Sequence, residues 1–418
     1  MFKAIIWNPF VPNGDPTSER FAGRSEEIES AERSLVQACN HTPEHFLFEG
    51  ERGIGKTALM SQVRELASGR IRSEISDETY NFICVSVELG GCESQMQIVQ
   101  KIVSELIWQV EDLKTINTAK KFLDFCTRFE GFGFKFNKKA EDEQDIDGAC
   151  IEFVQMVTGC VKSGFFNDGI LFLLDEADAP PSSANLGQLL KSLCEKLEKM
   201  KCKNAIFGIA GLPTLRRKLA ESHGSAPRLF KVNTLTTMSD EDCEKGVNLC
   251  IKMGNDVNKD EHAKTMTPEA MKKIIAYAEG YPHFLQQFCS CAWQEDTDNV
   301  ICENDVEVGA HHPQGAIAQL GKKFFDSMYF DSIGSDSYRH VLDVMAQYED
   351  RWVKKSEIGQ TNQISDSQLK SALKVLTSKE IILKDPARDG YYRLPTKSFG
   401  VWINKLGNKS LDQALSGV

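Results

Sequence analysis

Residues 45–69 read HFLFEGERGIGKTALMSQVRELASG and contain the most informative motif of the chain. Residues 50–57 match the pattern G-x-x-x-x-G-K-T, which a chain of this length and composition contains by chance in roughly 1–2% of cases. The apolar run before the pattern predicts a buried strand, and the apolar spacing after it predicts a helix that ends at Gly69. A glycine-rich loop between a strand and a helix is the context in which this pattern binds phosphate.

The residue types in this phosphate loop suit a nucleoside triphosphate. Its glycines allow the backbone to curl so that N–H groups face phosphate oxygens, and the helix that follows adds the positive end of its dipole. Lys56 is expected to reach the β- and γ-phosphates, and the Thr57 hydroxyl to ligate Mg²⁺. The sequence therefore predicts ATP and Mg²⁺ as cofactors, and the loop residues expected to hold the nucleotide are Gly50, Glu51, Arg52, Gly53, Ile54, Gly55, Lys56, Thr57 and Ala58.

A second motif, GILFLLDEAD at residues 169–178, places two acids after an apolar run. Such a run is typical of a strand buried on both faces of a parallel sheet, and ligands bind at the carboxyl ends of those strands. Asp175 is expected to hold Mg²⁺, and Glu176 to polarise the attacking water. By itself the acidic pair is weak evidence for an ATPase site, but together with a phosphate loop it is strong evidence.

Composition excludes several classes of protein. The chain has 418 residues and a net charge of −11, which excludes a protein that binds nucleic acid over its whole surface. A basic patch on one domain is still compatible with this composition. No apolar run approaches the ~20 residues of a membrane span, and no secretory signal is recognisable. The 13 scattered cysteines read as reduced, mostly buried thiols. We expect a cytoplasmic protein with no membrane partner.

An insertion precedes the acidic motif. Residues 129–136 read FEGFGFKF, and their alternation of Phe with Gly or Lys predicts an inserted hairpin near residues 129–140. The hairpin either packs over the core, which the alternation favours, or touches a partner or a neighbouring subunit.

With the loop and the acidic pair in place, the N-terminal segments show a family resemblance. Residues 8–12 read NPFVP and residues 21–28 read FAGRSEEI. Together with the two motifs, they resemble the AAA+ ATPases of the origin-recognition/Cdc6-like group and their relatives, the STAND ATPases. The resemblance covers most of residues 8–295. It implies a P-loop AAA+ core with a parallel sheet, and it implies that Arg24, in the F-x-G-R-x-x-E-I segment, helps to enclose the adenine.

The resemblance also points to an arginine that acts on the γ-phosphate. Residues 225–230, SAPRLF, resemble the segment that carries it, which makes Arg228 the candidate for a catalytic arginine finger. An ordinary surface arginine is the alternative, and Arg216 and Arg217 are weaker candidates. The sensor-1 position at the end of the strand 205–210 carries Gly211 where the family has a polar residue, with Thr214 three positions later.

A helical lid is implied by residues 280–283, GYPH, which resemble the G-x-P motif of STAND lids. Gly ends one helix and Pro begins the next. Pro282 and His283 are therefore expected to contact the nucleotide. His283 acts either as a weak sensor 2, where the Cdc6-like pattern has an arginine, or only as a helix-start residue.

The last third predicts a winged helix. Helical patterns over 338–348, 353–358 and from Ser365 precede two apolar runs, 381–384 and 391–394, that flank a turn. Residues 337–404 hold 11 Lys and Arg against 8 Asp and Glu. This small surplus leaves two interpretations open: DNA contact through Gln368, Lys370, Lys374, Lys379 and Arg388, or a protein-docking module.

These motifs divide the chain into a core at 1–235, a lid at 236–312, and a linker helix with winged helix at 313–418. The function expected is an ATP-binding and ATP-hydrolysing switch that changes its conformation or assembly state. It would self-associate or act through a separate effector protein, and prokaryotic defence is one setting that the STAND resemblance implies. The alternative is a DNA-binding ATPase such as an initiator, loader or transposition regulator. A metabolic kinase is a distant third, because a lid and a winged helix have no place in it.

Overall fold

The structure is a computed structural model that describes residues 6–12, 14, 21–73, 75–111, 146–162, 168–258, 262–348, 351–361 and 365–416. It divides the chain into two compact units. One is Asp15–Thr236, and the other joins Met1–Gly14 to Thr237–Val418. The hairpin predicted near residues 129–140 lies outside the described residues.

A five-stranded parallel sheet forms the centre of the first unit, with strand order β2-β3-β4-β1-β5. The strands are β1 (His45–Glu49), β2 (Phe82–Glu88), β3 (Gly169–Asp175), β4 (Ala205–Gly211) and β5 (Phe230–Thr234). Phe48, Phe172 and Phe207 are fully buried, as expected for strands covered on both faces. Because all five strands run the same way, their carboxyl ends meet at one edge.

Six helices of the first unit lie within the described residues. They are α1 (Ser25–Cys39), α2 (Lys56–Ala67), α3 (Gln95–Glu111), α4 (Ile146–Lys162), α5 (Leu186–Lys199) and α6 (Leu215–Ser222). Leucines at positions 186, 189, 190, 193 and 197 bury one side of α5, which fits the helical period of the sequence. The sheet and these helices confirm the predicted α/β class.

The second unit begins with a helical region around a short parallel pair of strands. Its elements are α7 (Asp240–Val257), β6 (Thr265–Met266), α8 (Pro268–Ala278), α9 (Pro282–Glu295), β7 (Val300–Ile301) and α10 (Glu303–His311). The Thr267 hydroxyl caps α8 by accepting the Ala270 N–H at 3.2 Å. A buried ion pair joins Lys264 to Asp296.

The rest of the second unit contains the winged helix. Its elements are α11 (Ala316–Leu320), α12 (Asp336–Ala346), β8 (Val353–Lys354), α13 (Lys355–Ile358), α14 (Asp366–Ser378), β9 (Leu383–Lys384), β10 (Tyr391–Arg393) and α15 (Lys397–Ser416). The strands form an antiparallel sheet in the order β8-β10-β9. Ser365 begins α14 with a capping box, as its position before Asp366 predicts.

Two predicted elements differ from the structure. Val353 and Lys354 pair with Tyr392 and Tyr391 as a strand, so the short helix predicted at 353–358 begins only at Lys355. The linker helix predicted within residues 313–418 has α-helical geometry only over Ala316–Leu320 and then widens into π-helical turns at 321–325 and 327–331. Among the described residues, no helix has the length and hydropathy of a membrane span.

The N-terminal residues also differ from the predicted division, which assigned them to the core. The Trp7 N–H donates to Asn258, the Asn8 amide to Ser290, and the Val11 N–H to Gln286. Phe10 packs edge-on against Trp293, with ring centroids 6.0 Å apart. These residues therefore belong to the second unit, because their partners all follow residue 236.

Candidate nucleotide-binding site

The phosphate loop, residues 50–57, begins at the carboxyl end of β1 and leads directly into α2. Gly53 and Gly55 have φ of 80° and 99°, which L-residues with side chains adopt at a cost. The Gly50 N–H donates to the carbonyl of Gly211 at 3.2 Å, which ties the start of the loop to the end of β4. The loop is thereby held at the edge where the strands end.

The Lys56 side chain lies inside the loop. Its ammonium donates to the carbonyls of Gly50 and Glu51, both at 2.8 Å. Burial lowers the pKa of the Lys56 amine, and the nearby carboxylates of Asp175 and Asp178 oppose that shift. A cation placed in this way is ready to exchange carbonyl oxygens for phosphate oxygens.

Thr57 and Asp175 meet although 118 positions separate them. The Thr57 hydroxyl donates to Asp175 Oδ2 at 2.6 Å. A hydroxyl and a carboxylate oxygen are hard ligands of the kind that Mg²⁺ prefers, so the residues present fit that ion. The structure brings together the two residues that the sequence predicts as metal ligands.

Glu176 stands beside this pair in a left-handed backbone conformation, with φ of 50°. Its N–H donates to Asp175 Oδ1 at 2.8 Å, and its side chain is exposed. A Cβ on Gly90 would lie 2.6 Å from Glu176 Oε2, so glycine at that position leaves room for the carboxylate. Burial raises the pKa of Glu176, and the charges of Glu88 and Asp175 raise it further.

The acidic motif carries a third carboxylate that our sequence reasoning left without a role. Asp178 Oδ1 accepts the N–H of Leu212 at 2.8 Å, and the Asp178 carbonyl accepts the ammonium of Lys218. Asp178 therefore joins the turn after β3 to the predicted sensor-1 turn after β4. Its place in the DEAD run was the only signal in the sequence.

A buried glutamate at the end of β1 was also missed. Glu49 is 2% exposed and accepts the Thr234 hydroxyl at 2.8 Å. Arg216 Nε lies 2.7 Å from Glu49 Oε2, an ion pair without hydrogen-bond geometry. Arg216 therefore neutralises a buried charge, which weakens it as a catalytic candidate.

The other two candidate arginines differ in their partners. Arg217 lies 3.6 Å from Glu221 on the same helix. Arg228 is exposed on a 3₁₀ turn (Ala226–Leu229), and within the described ranges no hydrogen bond or ion pair occupies its guanidinium. Of the three, Arg228 has the geometry that suits a cation acting on a group outside its own surroundings.

Arg24 contacts protein acceptors. Its guanidinium donates to Glu27 at 3.2 Å, to the carbonyl of Ile54 at 3.0 Å and to the carbonyl of Thr236 at 2.6 Å. The side chain is 8% exposed. Where the family resemblance implies contact with adenine, this structure shows a brace between the phosphate loop and the last residue of the first unit.

Pro282 and His283 lie in the second unit, at the start of α9. The His283 ring packs edge-on against Phe324 at 4.7 Å between ring centroids, and its buried Nε2 has no hydrogen-bond partner in the part of the chain that the structure describes. Burial lowers the pKa of His283 to about 4, so the ring is neutral near pH 7. A neutral, packed imidazole favours the helix-start interpretation over a phosphate sensor.

Most basic residues that the sequence offered for DNA contact have partners within the winged helix. Lys379 donates to the carbonyl of Ser332 at 2.6 Å. Ion pairs of 3.0 Å or shorter join Lys355 and Lys370 to Asp366, Lys384 to Asp389, and Arg388 to Asp385. The local positive charge is therefore largely compensated.

No protein-family model and no curated protein matches the sequence. Solved structures, in contrast, share this architecture. The fold is similar to the ORC2 protein of Aeropyrum pernix in its ADPNP–ADP complexes, with a TM-score of 0.59 and 13% identity over 97% of this chain and 98% of that one. The chain has the fold of the ORC/Cdc6-like AAA+ ATPases.

A second archaeal protein supports the same conclusion. A Walker-type ATPase of Pyrococcus abyssi matches with a TM-score of 0.53 and 13% identity, over 95% of this chain and 99% of that one. Because both matches extend over nearly the whole chain, this ORC/Cdc6-like fold accounts for both units.

Proposed function

We propose that the protein binds ATP with Mg²⁺, hydrolyses it slowly, and uses the nucleotide to change its conformation or assembly state. The observation that carries the proposal is the 2.6 Å contact between the Thr57 hydroxyl and Asp175, with Glu176 beside it. ORC2 of A. pernix, which shares the fold, was solved with ADPNP and ADP. The output passes to a partner protein, which the paired charges of the winged helix favour over DNA.

The residues of the site divide the chemistry among them. Backbone N–H groups of the loop donate hydrogen bonds to phosphate oxygens, and the Lys56 ammonium moves from its carbonyl partners to the β- and γ-phosphates. Thr57 and Asp175 would hold Mg²⁺, which supplies charge neutralisation to the phosphates when bound. Glu176 orients a water and accepts its proton, a task that its raised pKa favours.

Arg228 supplies a planar cation to the charge that develops on the transferred phosphoryl group. Its guanidinium is exposed and has no partner among the described residues, which suits action on a neighbouring copy of the chain and makes self-association part of the proposal. Whether the setting is signalling or defence stays a prediction from the resemblance.

Steady-state ATP hydrolysis tests the proposal. Glu176→Gln should lower kcat by about 10²–10⁴-fold and leave ATP binding intact, because it removes only the proton acceptor. Glu198→Gln, on the exposed side of α5, is the matched control and should hydrolyse ATP at the wild-type rate. Equal hydrolysis by Glu176→Gln and wild type would contradict the proposal.

The DNA-binding alternative predicts a different outcome. Addition of double-stranded DNA should then stimulate hydrolysis, and DNA affinity should fall steeply with salt. The compensated charge of the winged helix favours a protein partner instead.

A further inference from the structure

Three hydrogen-bonded joints follow one another along the chain from the phosphate loop to the winged helix. The first is Arg24, which bonds the carbonyls of both Ile54 and Thr236. Ile54 belongs to the loop, and Thr236 is the last residue of the first unit. A shift of the loop backbone therefore reaches the residue at which the chain enters the second unit.

The second joint is at Gly280. The Met238 N–H donates to the Gly280 carbonyl at 2.8 Å, two residues after the chain enters the second unit. Gly280 has φ of 73°, and a Cβ there would lie 2.6 Å from the Met238 carbonyl oxygen and 2.8 Å from Thr237 Cβ. The entering segment thus packs on a backbone with no space between them, so movement of one displaces the other.

The third joint is Glu279, which precedes this glycine. Its Oε1 accepts the N–H groups of Lys397 at 2.7 Å and Ser398 at 3.3 Å, the first two residues of α15. The Thr396 hydroxyl accepts the Phe399 N–H at 3.2 Å. The first turn of a helix leaves its N–H groups without helical partners, and here a carboxylate from a residue 118 positions away satisfies two of them.

Helix α15 is anchored in the winged-helix core. Phe399 is fully buried, and Trp402 stacks against it and packs on Phe325. Glu279 holds its contact from a left-handed backbone conformation, with φ of 50°. A residue other than glycine keeps such a conformation only where its surroundings require it, and these residues gather at switching and ligand sites.

We propose that these joints transmit the nucleotide state of the phosphate loop to the winged helix, with Glu279 as the residue that couples the lid to α15. The inference rests on the proposed ATP-dependent function and assigns its regulation. Nucleotide that repositions the loop acts through Arg24 on Thr236, through Gly280 on the lid, and through Glu279 on the first turn of α15.

Hydrogen–deuterium exchange of the full chain tests this coupling, with and without saturating ADPNP and Mg²⁺. The readout is the nucleotide-dependent change in exchange at residues 234–238 and 396–400, since the basal rate at 396–400 rises whenever a cap is removed. Wild type should show at least a twofold change at both segments. A fluorescent ATP analogue measures nucleotide affinity in every variant.

Glu279→Gly removes the carboxylate and suits the left-handed backbone, so the variant folds. It should keep the change at 234–238, lose the change at 396–400 and bind ADPNP within twofold of wild type. Arg24→Lys, whose amine cannot serve the same three acceptors, should lose both changes. Glu380→Gly is the matched control, because Glu380 is another left-handed glutamate with φ of 57°, and it should respond as wild type does.

The outcomes separate the two proposals. Wild type that binds ADPNP without a change at 396–400 would overturn the coupling and leave the ATPase proposal standing, as would a full response in Glu279→Gly. Wild type that binds no ADPNP would overturn both.

Discussion

The charged side chains at the nucleotide-binding site and those of the winged helix differ in whether they have a partner of opposite charge. At the carboxyl edge of the large sheet, Glu176 is exposed and crowded by other acids. On the turn that precedes β5, at the amino end of that strand, Arg228 has no partner within the described residues. In the winged helix, Lys370, Lys384 and Arg388 each have an acid within 3.0 Å. Charged side chains without a nearby partner are therefore available to a ligand, whereas those of the winged helix are already held in ion pairs.

Arg228→Ala should produce the largest effect among the changes that break this contrast. If the unpaired arginine completes the site, hydrolysis falls by about 10³-fold. Arg217→Ala, which removes an arginine that faces Glu221, should leave hydrolysis unchanged. Mixing Arg228→Ala with Lys56→Ala should restore activity, because each chain supplies what the other lacks. A mixture as inactive as its parts would show that Arg228 does not act across an interface.

Gly90→Ala should lower kcat by about 10²-fold, because the new methyl group would lie 2.6 Å from the present position of Glu176 Oε2 and displace the carboxylate. Affinity for ATP should stay near that of wild type. Gly91→Ala is a useful comparison, since nothing lies within 4 Å of its Cβ position, although its φ of 77° adds backbone strain. Equal rates for Gly90→Ala and wild type would show that the Glu176 carboxylate does not need its present position for hydrolysis.

The pH profile of hydrolysis should report the crowding of acids around Glu176. Its pKa is raised, so the proton acceptor is lost at a higher pH than for an ordinary glutamate, and kcat falls about tenfold per pH unit below that pKa. Glu88→Gln removes one cause of the shift and should move the acid limb to lower pH. An acid limb that stays in place in this variant would argue against Glu176 as the titrating group.

The smallest effect is expected from exposing the charge of the winged helix. Asp366→Asn with Asp389→Asn frees Lys355, Lys370 and Lys384 from their partners. If compensation suppresses DNA binding, affinity for a duplex rises and its salt dependence steepens by about one unit per freed lysine. DNA binding by wild type that matches the double variant would instead revive the DNA-binding alternative.

The sequence predicted the parts of the site that are local in the chain. The phosphate loop, the strand before it and the acids at the carboxyl end of β3 each lie within a short motif whose hydrophobic pattern sets the element. The Thr57–Asp175 contact followed because parallel strands end at a common edge. For these residues, the position within a motif was enough to predict the place in the site.

The contacts that the sequence did not predict join distant residues whose motifs give no register. Asp178 meets Leu212, Glu49 meets Thr234, and Arg24 meets Thr236 only once the strand order is fixed. A single sequence carries no signal for which side chain crosses between strand ends. The same limit placed the first residues with the core, since Asn8 finds its partner 282 positions away.

That long-range contact has a consequence for synthesis on the ribosome. The amide of Asn8 and the ring of Phe10 have their partners at residues 290 and 293, beyond the whole of the first unit. At about 5–20 residues per second, the emerging segment waits roughly 15–60 s before those partners are made. The first unit is complete in the meantime, so residues 8 and 10 are made before that unit and buried after it, and a chaperone has that interval in which to bind them.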